Sequence, residues 1–321
     1  MLCSPISIAA IVGPTATGKS ETAIEVAGLL NGEIISVDSM QVYRGMDIGT
    51  AKVKPQERYT RDSRYIPHHM LDIVEPDVDY NVGLYQEEAA LKIKEIQAKG
   101  KLPLLVGGTG LYYNALVNEY EFTPGEENRA LREQLREEAK NMGTQHLHDK
   151  LAGVDPKAAE AIHPHDLKRV IRALEVFYKT GQRISESTKN PRKTYLTAAA
   201  GLYLEREELY NNVNRRIDRM LEQGLIEEVK NLLEQGVKAS NSSMQALGYK
   251  EVVGYLQGEY DLKTCVELLK RDTRRFAKRQ LTWFRRDPEI KWFNIRDYHN
   301  KTSLVEAIVN YIQLRLQIKV N

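Results

Sequence analysis

The sequence predicts an α/β fold, a P-loop-containing parallel-sheet core with a mainly helical insertion domain, on three observations. Short apolar runs that stop at glycine or aspartate alternate with helical patterns through the first third of the chain. A glycine-rich phosphate signature lies between the first apolar run and the first helix. Strand signals then cease near residue 121 and resume near residue 196.

Each element has a local reason. Ile6 to Val12 is apolar and partly β-branched, with Gly13 directly after it, as in a strand buried on both faces. Ser20 to Leu30 puts Ala23, Ile24, Ala27 and Leu30 on one side of a helix. Glu33 to Val37 is a second buried strand that ends at Asp38-Ser39. Glu87 to Ala98 is helical. Leu102 to Val106 is a third strand, and it stops at Gly107-Gly108-Thr109-Gly110 before another helical stretch. Helices then dominate: Glu126 to Met142, Gln145 to Leu151, Pro156 to Ile162 and Asp166 to Thr180. Strands return at Leu196 to Leu204 and Ile290 to Ile295. Between them lie helices from Arg206 to Gln235, Ser242 to Leu256 and Leu262 to Arg285, and a C-terminal helix follows. The expected division is a first part of the core over 1–120, an insertion over 121–195, and completion of the core over 196–321.

Composition narrows the class. At 321 residues, 42% hydrophobic and 28% charged, the chain is neither disordered nor fibrous. Forty-six basic against 44 acidic residues give +2, so only the local distribution of charge can indicate partners. Cys3 and Cys265 stand alone, which argues against a disulfide framework or zinc site and fits a cytoplasmic location. No apolar run reaches the roughly 18 residues of a membrane helix. Ile6 to Val12 has no basic flank or cleavage site and leads straight into a glycine loop, so no signal peptide is expected.

Gly13-Pro14-Thr15-Ala16-Thr17-Gly18-Lys19-Ser20 fits G-x-x-x-x-G-K-[ST]. Glycines let successive N–H groups curl around phosphate oxygens, while the following helix turns its positive end toward them. Lys19 adds a point charge, and the Ser20 hydroxyl can enter a Mg²⁺ shell. The strand ending at Val106 lacks the acid that P-loop kinases usually carry there. The strand ending at Val37 does lead to Asp38. Strand ends line the ligand crevice of such sheets, so Asp38 and Thr109 are candidates to face the bound phosphate. A loop hydrogen bond or helix cap is the alternative reading of Asp38, and strand order decides its distance from the cradle.

Eight basic residues against two acids occupy Lys270 to Asp287. Arg271, Arg274, Arg275 and Lys278 share one helix face, with Trp283 and Phe284 following. A second basic cluster, Lys168, Arg169, Arg172, Lys179 and Arg183, lies in the helical insertion. Basic residues interleaved with aromatics suit phosphate contact and base stacking. The alternative is a solvated face whose charges pair locally. His68 and His69 are either active-site groups or packing residues, and His163 and His165 read as a turn.

Taken together, these segments resemble the tRNA dimethylallyltransferase (isopentenyltransferase) family over nearly the whole chain. The resemblance runs through the phosphate loop, the block Asp38-Ser39-Met40-Gln41-Val42-Tyr43-Arg44-Gly45-Met46-Asp47-Ile48-Gly49-Thr50-Ala51-Lys52, and Pro67 to Asp72. It continues through Val106 to Tyr112, Ile162 to Asp166, Arg172 to Glu175, Gln245 to Lys250 and Lys278 to Arg285.

The resemblance implies transfer of a dimethylallyl group from dimethylallyl diphosphate to the exocyclic amine of the adenine just 3′ of the tRNA anticodon, assisted by Mg²⁺. Asp38 would accept the amine proton, Thr109 would sit at the reacting centre, and Lys19 with the loop from Gly13 to Ser20 would hold the diphosphate. Arg129 would lie near the tRNA. Ser39, Met40 and Gln41 would join the tRNA surface, as would Lys168, Arg169, Val170, Ile171 and Arg172. So would Gln245, Ala246, Leu247, Gly248, Tyr249 and Lys250, and the stretch Lys278, Arg279, Gln280, Leu281, Thr282, Trp283, Phe284 and Arg285.

The chemistry suits these residue types. An aromatic amine is a weak nucleophile because its lone pair is delocalised, so a carboxylate that takes its proton helps by about 10²–10⁴-fold. Charge builds on the departing diphosphate, and a cationic cradle stabilises it. The expected partners are the tRNA anticodon stem-loop and dimethylallyl diphosphate, with no membrane and a monomeric chain. Two rivals remain: a P-loop phosphotransferase on a small nucleotide or metabolite, and the same prenyl chemistry on free adenylate.

Overall fold

The computed structural model describes residues 6–120, 128–186 and 195–318. The chain divides into two compact units, Met1–Val117 with Lys193–Asn321, and Asn118–Arg192.

The first unit is built on a parallel sheet of six strands: β1 (Ile6–Val12), β2 (Gly32–Val37), β3 (His68–His69), β4 (Leu102–Gly107), β5 (Tyr195–Tyr203) and β6 (Ile290–Asn294). Their order is β3-β2-β4-β1-β5-β6. β2 and β4 are buried at every residue, which is why they read as unbroken apolar runs. Before the insertion come α1 (Lys19–Leu29), α2 (Val82–Ala98) and α3 (Gly110–Val117). After it come α8 (Arg206–Glu222), α9 (Leu225–Glu234), α10 (Tyr249–Leu256), α11 (Leu262–Phe284) and α12 (Lys301–Leu316). α1 and α12 pack Ile24, Val26, Ile308 and Ile312 with Ile11, Leu104 and Ala200. On the opposite face, α2 and α3 pack Tyr85, Ile93, Tyr112 and Tyr113 with Ile8, Ile35 and Leu105. Alternate strand residues therefore serve alternate cores. A third core joins Val213, Val229, Tyr249 and Leu269 of α8–α11 with Tyr43 and Met46. Among the described residues, no helix is long and apolar enough to cross a membrane.

Register positions the functional loops. Gly107, the last residue of β4, pairs with Val37 of β2 on one side and Val12 of β1 on the other. Three loops thus leave the sheet side by side: 13–18 after β1, 38–51 after β2 and 108–109 after β4. Two glycines make the junction possible. A Cβ on Gly107 would lie 2.0 Å from the Val37 carbonyl oxygen, and one on Gly13 would lie 2.4 Å from that of Leu202. Gly13 also needs a φ of 137°, in the region that favours glycine.

The structure departs from expectation in three places and decides one reading left open. The helix expected from Ser242 begins only at Tyr249, because Gly248 takes φ 100° and its N–H donates to Glu251 Oε2 at 2.8 Å. α2 begins a turn before Glu87, where Asn81 accepts from the N–H groups of Gly83 (2.9 Å) and Leu84 (3.2 Å). α8 and α9 are separate helices, divided at Gly224 with φ 97°. Finally, His68 and His69 form an edge strand paired with Ile34 and Ile35. His69 Nε2 is 2.7 Å from buried Glu33, which Lys101 also reaches at 2.7 Å. Burial holds His68 down at about 4, hence neutral, with its Nδ1 2.8 Å from the Ile66 carbonyl oxygen. These histidines are packing residues of the sheet edge.

The second unit comprises α4 (Arg129–Met142), α5 (Thr144–Val154), α6 (Pro156–Ala161) and α7 (Leu167–Thr180). Its core includes Leu135, Leu147, Leu151, Val170, Ile171 and Leu174. Glu175 is fully buried and accepts from Arg132 (2.8 Å), Arg172 (2.7 Å) and the Asn128 N–H (2.9 Å). Burial opposes its ionisation, but those three bonds outweigh it and hold the carboxyl down at about 2. Because its folded value is depressed, its contribution is complete above the ordinary carboxylate range and is lost as pH falls toward about 2. Glu175→Gln should therefore destabilise this unit at pH 7 by about 2–4 kcal/mol. In urea unfolding followed by circular dichroism, the gap from the unaltered protein should narrow between pH 5 and pH 2.5. A gap independent of pH would remove the ion cluster from the account.

Candidate active site

The phosphate loop is held open by its own side chains. Thr17 Oγ1 donates to the Pro14 carbonyl at 2.9 Å, and Lys19 Nζ donates to the same oxygen at 2.6 Å. Ala16 and Gly18 both adopt positive φ, 63° and 72°, so the chain curls before α1 starts at Lys19. The positive end of α1 faces the concavity that results.

Asp38 follows β2. Its Oδ1 accepts from the N–H groups of Met40 (2.9 Å) and Gln41 (3.3 Å), while Oδ2 accepts no hydrogen bond among the described residues. The loop-turn role and an unbonded carboxylate oxygen therefore coexist in one side chain that lines the cavity. Thr109 follows β4: its N–H donates to the Val37 carbonyl at 3.1 Å, and its Oγ1 accepts from the Ser39 N–H at 3.1 Å. These two bonds tie the strand ends of β2 and β4 together beyond the sheet.

α11 lies on these loops through its inner face. Buried Gln280 accepts from the Thr15 N–H at 2.8 Å and donates to the Gly108 carbonyl at 2.9 Å. A Cβ on Gly108 would sit 2.2 Å from the Gln280 amide nitrogen, and one on Gly110 would sit 2.1 Å from the Trp283 ring. Gly108 and Gly110 of the Gly-Gly-Thr-Gly sequence are thus what close approach of this helix requires.

The loops enclose a cavity of about 280 Å³. Its polar lining includes Thr15, Lys19, Ser20, Asp38, Thr109 and Arg216. Its apolar lining includes Ile217, Met220, Leu225, Leu247, Leu269 and Phe276. Burial pulls the Lys19 ammonium down to about 7, Arg216 pushes the same way, and Asp38 opposes both. Two cations and one anion share the lining, an arrangement that favours a bound polyanion.

Residues expected at the reacting centre and residues expected on the tRNA surface meet here. Thr15, Lys19, Ser20, Asp38, Ser39, Met40, Gln41, Thr109, Ala246, Leu247, Gly248 and Gln280 all line the cavity, while Gly13, Pro14, Ala16, Thr17 and Gly18 shape the loop. The expected tRNA surface divides differently. Gln245, Lys250, Lys278, Arg279, Thr282 and Arg285 are exposed, as are Lys168 and Arg169 in the helical unit. The side chains of Tyr249, Phe284, Val170 and Ile171 are core, because they fall on the inward faces of their helices. Gln280 is a buried clamp, Leu281 and Trp283 are half-buried, and Arg172 is committed to Glu175. α4 opens at Arg129, whose side chain lies outside the described residues.

The basic stripe of α11 also splits. Arg271 and Arg275 both reach Asp272, at 2.8 and 3.4 Å, and Arg274 donates to Asn214 at 2.8 Å. Lys278, Arg279 and Arg285 pair with no carboxylate among the described residues. Sequence reasoning missed Arg216, Met220, Thr273 and Phe276, all of which line the cavity. Leu269, Thr273, Phe276 and Gln280 form an i, i+4, i+7, i+11 stripe on α11, a signal hidden beside the more conspicuous charges.

A parallel sheet with a phosphate cradle, facing carboxylate and apolar wall defines a P-loop α/β enzyme. The chain belongs to the IPP transferase family, whose model matches residues 41–287. An isopentenyl transferase model matches residues 6–74. The chain is 53% identical over 287 residues to a tRNA dimethylallyltransferase of Carboxydothermus hydrogenoformans, covering 88% of this chain and 90% of that one. The solved tRNA isopentenylpyrophosphate transferase of Bacillus halodurans is similar at 44% identity and TM-score 0.72, over 97% of both chains. A eukaryotic dimethylallyltransferase, solved acting on tRNA, matches at 30% identity and TM-score 0.79, over 98% of this chain and 81% of that one.

The electrostatics of the cradle can be tested without the transfer reaction. An anion beside Lys19 favours its charged form. Because that lysine is only half-protonated near pH 7 in the free protein, binding of inorganic diphosphate at pH 8 should take up protons. Calorimetry in buffers of different ionisation enthalpy should give an uptake approaching about one proton beyond that of Lys19→Met. Equal uptake in the two proteins would separate Lys19 from the anion.

Proposed function

We propose that this protein transfers a dimethylallyl group from dimethylallyl diphosphate to the exocyclic N6 amine of the adenine 3′-adjacent to the anticodon in tRNA, releasing diphosphate. The observation that carries this reading is the single cavity in which a phosphate cradle, a carboxylate and an apolar wall converge. A diphosphate ester with a short apolar tail matches this mixed polar and apolar lining. The carboxylate supplies what the acceptor amine lacks.

In this mechanism the Thr15–Ser20 backbone and Lys19 hold the diphosphate, and the apolar wall takes the prenyl chain. The target adenine is stacked in the anticodon loop and must be flipped out to reach the cavity. Asp38 takes the amine proton as the C–N bond forms and the allylic C–O bond breaks. Charge then accumulates on the leaving diphosphate, where Lys19, Arg216 and the loop N–H groups stabilise it. Thr109 sits beside the base and holds Ser39 in place.

Mg²⁺ fits the donor set. The described residues hold no cluster of three or more His, Cys, Asp or Glu, so no dedicated cage is built. Mg²⁺ characteristically takes one or two protein oxygens and completes its shell with phosphate and water. The Ser20 hydroxyl is the protein donor we assign to it, and its charge would offset that of the diphosphate. The anticodon stem-loop is assigned to the exposed Lys278, Arg279 and Arg285 and to Lys168 and Arg169. We assign the activity to a monomer acting in the cytoplasm, where unmodified tRNA is available as substrate.

Incubation with labelled dimethylallyl diphosphate and unmodified tRNA, followed by nucleoside analysis, tests the reading; absence of N6-prenylated adenosine would overturn it. Asp38→Asn keeps an oxygen for the Met40 and Gln41 N–H groups while removing the base. Its turnover should fall by about 10²–10⁴-fold with tRNA binding retained. Near-normal turnover would place the base elsewhere. Lys278→Ala with Arg279→Ala should flatten the slope of log affinity against log salt by about 0.7–0.9 for each charge. An unchanged slope would assign that face to solvent.

A further inference from the structure

The segment from Gly45 to Lys52 belongs to no strand or helix, yet Gly49, Thr50 and Ala51 form one wall of the cavity. Backbone polar groups in such a segment need partners from elsewhere. Glu228 on α9 supplies them. Its Oε2 accepts from the N–H groups of Asp47 (2.9 Å) and Ile48 (2.7 Å). Its Oε1 accepts from the Gly49 N–H (3.0 Å) and the Tyr249 hydroxyl (2.6 Å). Three successive N–H groups thus converge on one carboxylate. Tyr249 fixes the approach, since a Cβ on Gly49 would lie 2.4 Å from its ring. From the far end, buried Lys52 donates to the Tyr43 carbonyl (2.7 Å) and Asp47 Oδ1 (2.6 Å).

The pinned segment in turn holds side chains of the cavity. Gln41 Nε2 donates to the carbonyl oxygens of Thr50 (3.2 Å) and Ala51 (3.5 Å), and Ser36 Oγ donates to Gln41 Oε1 at 2.9 Å. Arg216 reaches the same Thr50 carbonyl at 3.5 Å. Glu228 is not itself in the cavity wall. We infer that Glu228 is a positioning residue for the transfer reaction, pinning residues 47–51 so that Gln41 presents a fixed polar face to the acceptor base. The inference rests on the function proposed above. Gln41 makes two of the three side-chain contacts to Thr50 and Ala51, so the acceptor side carries most of the effect.

Glu228→Gln keeps the shape but turns an amide N–H₂ toward N–H and O–H donors. Misplacement of a binding group by a fraction of an ångström to one ångström lowers productive encounters by about 10–100-fold. The kcat/KM for tRNA should fall by that factor, the KM for dimethylallyl diphosphate should stay within about twofold of the unaltered value, and the melting temperature should be nearly unchanged. Combined with Gln41→Ala, it should add little further loss, because the two act through one path. Additive losses, equal effects on both substrates, or unaltered kinetics would overturn the inference. Glu227→Gln, exposed on the same helix, serves as the control and should behave as the unaltered protein. If Glu228→Gln does not fold, Tyr249→Phe removes a single donor to Glu228 and should show the same selective loss, smaller in size; unchanged kinetics there overturn the inference as well. Failure of the unaltered protein to modify tRNA would count against the proposed function. Full activity there with no selective loss in the variants would count against Glu228 alone.

Discussion

The cavity depends on three parallel strands ending at the same level. Gly107 pairs with Val12 on one side and Val37 on the other, so the loops after β1, β2 and β4 emerge as neighbours. Without that register, the cradle, Asp38 and Thr109 would be residues of three unrelated loops. The constraint is steric before it is chemical. The close approach of the Val37 carbonyl to Gly107 admits no side chain there. The bond from the Thr109 N–H to that carbonyl then fixes the direction in which the last of the three loops leaves.

A second layer of order comes from helices that lie on these loops. Gln280 of α11 bonds the phosphate loop and the Gly108 carbonyl with a single amide, and Glu228 of α9 gathers the N–H groups of the opposite wall. Both are polar side chains with both ends satisfied, the condition under which such groups specify a geometry and do not merely weaken a core. α11 combines two functions by angle alone. Its inner stripe shapes the cavity, while Lys278, Arg279 and Arg285 face outward.

Much of this was legible in the sequence. The strand-loop-helix order announces the cradle, since glycine, lysine and serine at that spacing have few other uses. Buried strands reveal themselves by unbroken apolarity. The meeting of Asp38 with the cradle was not legible, because it depends on β4 lying between β2 and β1 in an order the sequence does not encode locally. Arg216 was hidden for a similar reason: it is one arginine in a strongly charged helix, and only tertiary packing turns it inward. The basic clusters were read too broadly. Asp272 and Glu175 absorb part of their charge, and helical periodicity sends Val170, Ile171 and Phe284 into the core.

The pairing of β1 with β5 has a consequence for how the chain is made. Ile6 lies opposite Tyr195, so one side of the first strand has no partner until the ribosome has produced everything between them, including the whole helical unit. Contacts of such long sequence separation form slowly, because the intervening loop must close before they contribute. Meanwhile β1 exposes a row of free amides and carbonyls in an apolar segment, a template for pairing with other chains. The helical unit, a single continuous stretch of chain, can fold while that edge waits. During synthesis, the interval before β5 emerges is when this protein is most exposed to aggregation.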